Sequence, residues 1–439
     1  MVIVLNPFSI KQGRRLFHWD LSSQPLTDMI RTILFSTSIL FLLTACGGSD
    51  NGSGGNEPAA AQVFDCLAGA VDCPELVIDG DAPDQLPGGG LSEFHGFADP
   101  TIRKDPDSDR IWMAYSWPNV HVVGLLQLHV PGVDTHLAYS DDGGVTWQFH
   151  STLWPSEPAL DLSGSLEAGY IDHEVPNLLP RNTASGTIWY GVRLNYFVSN
   201  TGGYQTRKGS SFRLAIMQAD SPPELAGADA AVLGSAITHP NWGVDIYLAS
   251  LHPDVYPCDL WNEPALYWHE DELYLVVHCL GYDDATLLPT VAENDLVVFA
   301  TTAQGHVTSW VWRYVGKLAG HEEALELGGV GLTQVDIVRD WNGQWLAVVT
   351  PEDWSDTEND FIHYGCRVVE IENMTSPCFS RDGYGNLKVR AVITASDQDR
   401  IGPAACSYHP DSATGVIIGR RYKSPGFMSI FLHTTGIHP

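Results

Sequence analysis

Apolar and polar positions alternate over short runs, and clusters of Gly, Pro, Asn and Asp separate the runs. Five times a short apolar run leads through a polar turn into a strand rich in aromatic and β-branched residues. The copies begin at Asp99-Pro100, Val175-Pro176, Glu263-Pro264, Val335-Asp336 and Gly402-Pro403. The strands that follow begin at Ile111, Ile188, Leu273, Trp345 and Gly415. A strand-and-turn unit recurring about every 70 to 90 residues predicts one four-stranded propeller blade per copy. The expected fold class is all-β: a single five-bladed β-propeller, antiparallel within blades, with almost no helix. Six blades are the alternative, because residues 200–250 are long and irregular. A propeller sets the first strand of every blade around one axis, where carboxylates from distant parts of the chain converge.

Residues 1–45 read differently. Positions 32–43 are almost wholly apolar or small, Arg31 precedes them, and Leu43-Thr44-Ala45-Cys46 follows. The run is too short to span a bilayer and fits a signal peptide. It resembles a bacterial lipobox, which implies lipidation at Cys46 and a true start as late as Met29. Residues 46–62, rich in Gly and Ser, read as a flexible tether, and 63–439 as the propeller. The expected location is the cell envelope of a Gram-negative bacterium, lipid-anchored at the outer membrane, since Gly47 rather than Asp follows the cysteine.

The formal net charge is −30. Such a surface repels nucleic acid and anionic headgroups and suits a soluble protein in a salty medium or one that handles neutral sugars; a monomer is expected. In an oxidising envelope cysteines pair. Proximity favours Cys66 with Cys73, Cys258 with Cys279 and Cys366 with Cys378, leaving Cys406. No Cys/His cluster has zinc spacing, no metal ligand set is evident, and no motif argues for a cofactor or a structural calcium ion.

Ser140-Asp142-Gly144-Trp147 lies within Ser140-Asp141-Asp142-Gly143-Gly144-Val145-Thr146-Trp147 and matches the Asp box at every position. In this hairpin turn the carboxylate accepts turn N–H groups and glycine supplies positive φ. The box resembles those of sialidases and related propellers, where it sits on the outer rim, so Asp142 is read as structural. A sialidase also needs an arginine triad for the substrate carboxylate. Arg103, Arg193, Arg213, Arg339 and Arg420 could be recruited, but no Arg-Ile-Pro precedes the first blade, so a sialidase is the weaker reading.

The repeated anchor position carries Asp99 in copy one and Glu263 in copy three, each directly before proline. Copy two places Asp172 and Glu174 just upstream of Val175. Asp336 follows the anchor of copy four by one residue and is expected on the other face of its strand. Carboxylates gathered on one axis push one another's pKa values apart, as glycosidic hydrolysis requires of its acid and base. Phe97-Ala98-Asp99-Pro100 and Trp261-Asn262-Glu263-Pro264 resemble the blade starts of family 43 glycoside hydrolases, the arabinanases, xylosidases, fructosidases and their relatives. The resemblance implies a base at Asp99, an acid at Glu263 and a carboxylate tuning that acid at Asp172 or Glu174. Two departures stand out: Glu263 touches its proline directly, and copy two lacks Asp-Pro. Asp99 is expected to stay ionised beside His95 and Arg103, and Glu263 to be held protonated by Trp261, Leu260 and Pro264. Trp261 is the expected sugar-stacking residue, with His95, His173 and Arg193 as further substrate contacts.

Two other classes fit the residues. A polysaccharide lyase would take His95 or His173 as base, Tyr170 or Tyr190 as acid and Arg193 to neutralise a uronate. A non-catalytic surface lipoprotein would only capture glycans. The expected partner in every case is a poly- or oligosaccharide, with the membrane reached through the lipid anchor alone.

Overall fold

The computed structural model describes residues 60–439 except 126, 202, 205–210, 284, 285, 287, 359, 400 and 424–427. The leader, Cys46 and the tether up to residue 59 lie outside the described residues. Gln62–Asp65, whose first residue was assigned to the tether, is already a strand of the folded unit.

The strand runs legible in the sequence become Ile111–Val123, Gly186–Ser199, Glu272–Leu280, Trp345–Ser355 and Ile417–Lys423. Each pairs antiparallel with an inner strand: Ala98–Lys104, Ala168–Thr183, Leu260–His269, Gly331–Arg339 and Ala404–Ser407. Further strands extend each unit outward, giving five sheets. The inner strands touch in sequence order, and the fifth touches the first, closing a ring. The architecture is a β-propeller. Residues 200–250, which suggested a sixth blade, supply outer strands of the second sheet and short 3-10 turns. The α-helix among the described residues is the seven-residue His321–Leu327. No described helix is long and apolar enough to cross a membrane.

The apolar residues divide into five layers, one between each pair of neighbouring sheets. Sheets three and four, for example, bury Ala265, Val276, Ile337 and Val349 against one another. Truncating one of the larger members of such a layer costs about 2–5 kcal/mol. The ring is fastened by the N-terminal side of the chain, since His95–Gly96 pairs with Ser429–Ile430 of the last sheet. Gly96 has φ 122°, and a Cβ there would fall 1.7 Å from the Ile430 carbonyl oxygen. Only glycine closes the ring at that point.

Disulfides join Cys66 to Cys73, Cys258 to Cys279 and Cys366 to Cys406. The third corrects the expected Cys366–Cys378 pair. Cys366 opens the strand Cys366–Asn373, and Cys378 lies opposite Asn373 at its far end. Seven residues of extended chain span about 20 Å, well beyond disulfide reach. Cys366 instead ties the fourth sheet to the inner strand of the fifth.

In the turn at Ser140–Trp147 the Asp142 carboxylate accepts from Val145 N (3.1 Å), Thr146 N (2.9 Å), Ser140 Oγ (2.8 Å) and Thr146 Oγ1 (2.7 Å). These bonds hold the carboxyl down at about 2. Gly143 and Gly144 both have positive φ, and Trp147 is buried. The turn joins the third and fourth strands of its sheet, away from the ring of inner strands, and makes no contact with the axial carboxylates described below.

Candidate active site

Each inner strand breaks register with its neighbour once, and at each break a non-glycine residue takes positive φ. These residues are Asp99 (48°), Val175 (50°), Glu263 (48°), Gln334 (50°) and Ala405 (57°). Left-handed backbone is unfavourable for such residues, most of all for β-branched Val175. Five recurrences at equivalent positions mark a shared bulge that turns the strand end toward the axis. The five residues and their successors line one small recess there. The sequence anchors were right for blades one to three. They were one residue late in blade four and three residues early in blade five, where no X-Pro pair marks the bulge.

Side chains on the inner strands stitch the ring together. Leu178 N donates to Thr101 Oγ1 (3.5 Å), Leu266 N to Asn177 Oδ1 (3.0 Å) and Ile102 N to Ser407 Oγ (3.1 Å). Gln334 reaches both neighbours: its Oε1 accepts from Ala405 N and its Nε2 donates to Asp99 Oδ1 (3.4 Å). Asp336 also lines the recess, which corrects the expectation that it faces away, because the bulge falls at Gln334 and not at Val335 and so shifts the alternation by one residue. There it accepts from Arg103 (Nη2–Oδ1 2.5 Å), Ser407 Oγ (2.6 Å) and Asn177 Nδ2 (3.2 Å). Arg103 is therefore spent on Asp336 and is not the cation beside Asp99.

Three of the four candidate carboxylates converge electrostatically. Glu263 is 8% exposed, and its Oε2 has no hydrogen-bond partner. Burial raises its pKa well above the usual carboxyl range, and the charges of Asp99, Glu174 and Glu352 raise it further, against Arg421. Glu174 is pushed up to about 8 by burial, then by Asp99, while Tyr196 OH donates to its Oε2 (3.0 Å). Asp99 is also raised by burial, opposed by a hydrogen bond from Ser116 and the Arg421 charge. Neither His95 nor Arg103, the expected neighbours, is among the groups that favour ionised Asp99; Ser116 and Arg421 take that place. Hydrogen-bond donors and a cation favour ionised Asp99, whereas Glu263 Oε2 receives none, so the pair is asymmetric with Glu263 the weaker acid.

Asp172 lies one step further out, where its charge adds a smaller push upward on Glu174. Burial raises it to about 8, and it accepts from Ser156 Oγ (2.5 Å) and the Val133 amide on the side of the first sheet. It does not act on Glu263, so of the two upstream carboxylates Glu174 faces the axis.

Sequence reasoning missed the outer wall of this site. Arg421 on the fifth sheet contacts His363 Nδ1 through Nη1 and Met428 Sδ through Nη2 (3.8 Å), and the charges of Asp99 and Glu263 act on it. Glu352 lies 3.5 Å from His278 Nε2 and 3.8 Å from His363 Nε2. Burial pushes Glu352 up to about 8 and His278 down to about 3. No local motif marks these residues; they meet because strand ends from three sheets meet.

The proposed substrate contacts fare unevenly. Trp261 is 1% exposed, donates to Gly234 O (2.9 Å) and packs edge-on against Phe299, so it is a core residue and cannot stack on a sugar. His95 faces Ser92 O (2.6 Å) and Phe431, outside the carboxylate cluster. His173 is buried against Asn195 Oδ1 (2.9 Å) and, mainly through burial, held near 3. Tyr190 is fully buried, and Tyr170 stacks on His121 at 3.7 Å. The His/Tyr pair of the lyase reading is thus not assembled. Arg193 lies instead beside Arg213 and His173, on the face of the second sheet opposite Glu174.

No protein-family model matches the chain, and no curated protein matches its sequence. Among solved structures it is similar to a thermostable family-43 glycoside hydrolase, with 11% identity, TM-score 0.38 and coverage of 76% of this chain and 92% of that one. The α-L-arabinofuranosidase of Podospora anserina in complex with cellotriose gives 8% identity, TM-score 0.40 and coverage of 85% and 95%. The α-L-arabinanase of Cellvibrio cellulosa gives 11% identity, TM-score 0.41 and coverage of 77% and 91%. Likeness at this level does not carry activity from those proteins to this chain, and the chemistry rests on the residues at the axis.

Proposed function

We propose that the protein is a glycoside hydrolase acting on a poly- or oligosaccharide, with Glu263 as general acid and Asp99 as general base. Glu174, not Asp172, is the carboxylate that keeps Glu263 protonated. The observation that supports this reading is that Asp99 and Glu263 line one axial recess from two blades, with the charge of Glu174 from a third acting on Glu263 and with Glu263 Oε2 buried and unpartnered. A protonated carboxyl without an internal acceptor is ready to donate to a leaving-group oxygen, and a neighbouring ionised carboxylate can take a proton from water. Gln334 and Ser116 hydrogen-bond Asp99, and the Arg421 charge favours its ionised form. The leader supports a lipid-anchored envelope location through Cys46.

The test is a panel of aryl-glycosides and plant and algal polysaccharides, assayed for new reducing ends and for unsaturated sugars. Reducing ends without unsaturated products are expected. Unsaturated products would make the protein a lyase, and glycan binding without cleavage would make it a capture module.

A further inference from the structure

The second sheet carries a pair of buried arginines that the axial chemistry does not use. Asn195 pairs with His173 on one side and with Arg213 on the other, and Arg193 pairs with Ala215. Because side chains two apart share a face, His173, Asn195, Arg193 and Arg213 lie together. Arg193 Nε and Nη1 are buried and have no hydrogen-bond partner, although the residue still reaches the surface. Arg213 is 7% exposed, and its Nη1 donates to Ser211 O (2.8 Å). An indole lies over each guanidinium, Trp154 at 4.4 Å from Arg193 and Trp242 at 4.9 Å from Arg213.

Neither arginine forms an ion pair among the described residues. Glu157, exposed at the rim, is the carboxylate whose charge reaches Arg193. Residues 202–210 contain no Asp or Glu that might neutralise the pair. Burial lowers Arg193 to about 9 and Arg213 to about 10, so both remain cations at neutral pH. His173 beside them is neutral and adds no competing charge. A buried cation without a counter-ion costs several kcal/mol, and a planar fork backed by an aromatic face suits a bidentate oxyanion. In a chain of net charge −30, such a site needs a local cationic field to hold an anion at all.

We propose that this arginine pair is a subsite for an oxyanion substituent, a carboxylate or a sulfate ester, on the glycan bound at the axis. The proposal rests on the carbohydrate reading of the axial recess and departs from the neutral substrate that the overall charge suggested. His173 and Glu174 are consecutive on one inner strand, so the arginine pair and the carboxylates that act on Glu263 lie on opposite faces of that strand.

The experiment measures binding by calorimetry on full-length protein carrying Glu263→Gln, which separates binding from cleavage. The probes are trigalacturonate and its carboxyl-reduced form, a sulfated galactan tetrasaccharide and its desulfated form, and inorganic sulfate. One anionic glycan should bind ~10-fold or more tightly than its neutral form, as a bidentate charged contact allows. The preferred member of the panel identifies carboxylate or sulfate. Adding Arg193→Gln and Arg213→Gln should abolish the preference and leave neutral binding unchanged. If that variant does not fold, Arg193→Lys, which keeps the charge without the fork, should reduce the preference. Equal binding of charged and neutral forms, no binding of any glycan, sulfate binding alone, or a preference that survives the arginine changes would overturn the proposal. A charged-glycan preference with no hydrolysis by the wild type would defeat the glycosidase reading and leave this one standing.

Discussion

Replacing Glu352 with Gln should stabilise the protein, and increasingly so as pH rises. The carboxyl is 2% exposed and rises from an ordinary 4.5 to about 8, with burial as the main cause. Below pH 4.5 it is protonated in both folded and unfolded chains and costs nothing as a charge. Between 4.5 and about 8 the unfolded chain releases the proton while the folded chain keeps it, so stability falls with rising pH. The slope is about 1.4 kcal/mol per pH unit. The loss reaches about 3 kcal/mol at pH 7 and at most about 5 kcal/mol above pH 8. Glutamine keeps the shape and removes the titration, while titration of His278 and His363 affects both proteins alike. Urea midpoints followed by tryptophan fluorescence at pH 5, 7 and 9 measure the effect. A gap between variant and wild type that is flat with pH, or a variant less stable at pH 9, would refute the reasoning.

Other outcomes follow from the same contacts. Glu174→Gln removes a negative charge that raises Glu263, so the basic limb of the pH–rate profile should move to lower pH, whereas Asp172→Asn should leave that limb in place. Asp336→Asn strips Arg103 of its buried carboxylate partner and should cost about 3–5 kcal/mol in a denaturant titration; a loss below about 1 kcal/mol would show that the pair is dispensable. Cys46→Ser should move the protein from the membrane fraction to the soluble fraction, and retention in the membrane would refute the lipid anchor.

The pattern of strands was legible because β-branched and aromatic runs recur with turn residues between them, and because each blade needs the same strand pair. Asp99, Val175 and Glu263 were legible as equivalent blade-start positions because proline follows each one, though not as bulges. Gln334 and Ala405 adopt the same backbone without that mark, so their register was misread. Trp261 shows the limit of reading a side chain by its neighbours: it precedes Glu263 by two residues, yet its indole points into the layer between sheets two and three. Arg421, His363, His278 and Glu352 join the site only when the ring closes, a long-range consequence that no local spacing encodes. Arg103 was misassigned for the same reason, since its partner Asp336 lies on another blade. The pairing of Cys366 with Cys406 likewise depends on which sheets become neighbours.

The central claim is that Glu263 donates the proton to the departing oxygen. The direct test is turnover of Glu263→Gln on a confirmed substrate series whose aryl leaving groups span poor to good. The account predicts a loss of ~10²-fold or more with poor leaving groups and a much smaller loss with good ones, with folding unchanged. Near-wild-type turnover across the series, or an equal loss at every leaving group, would contradict it.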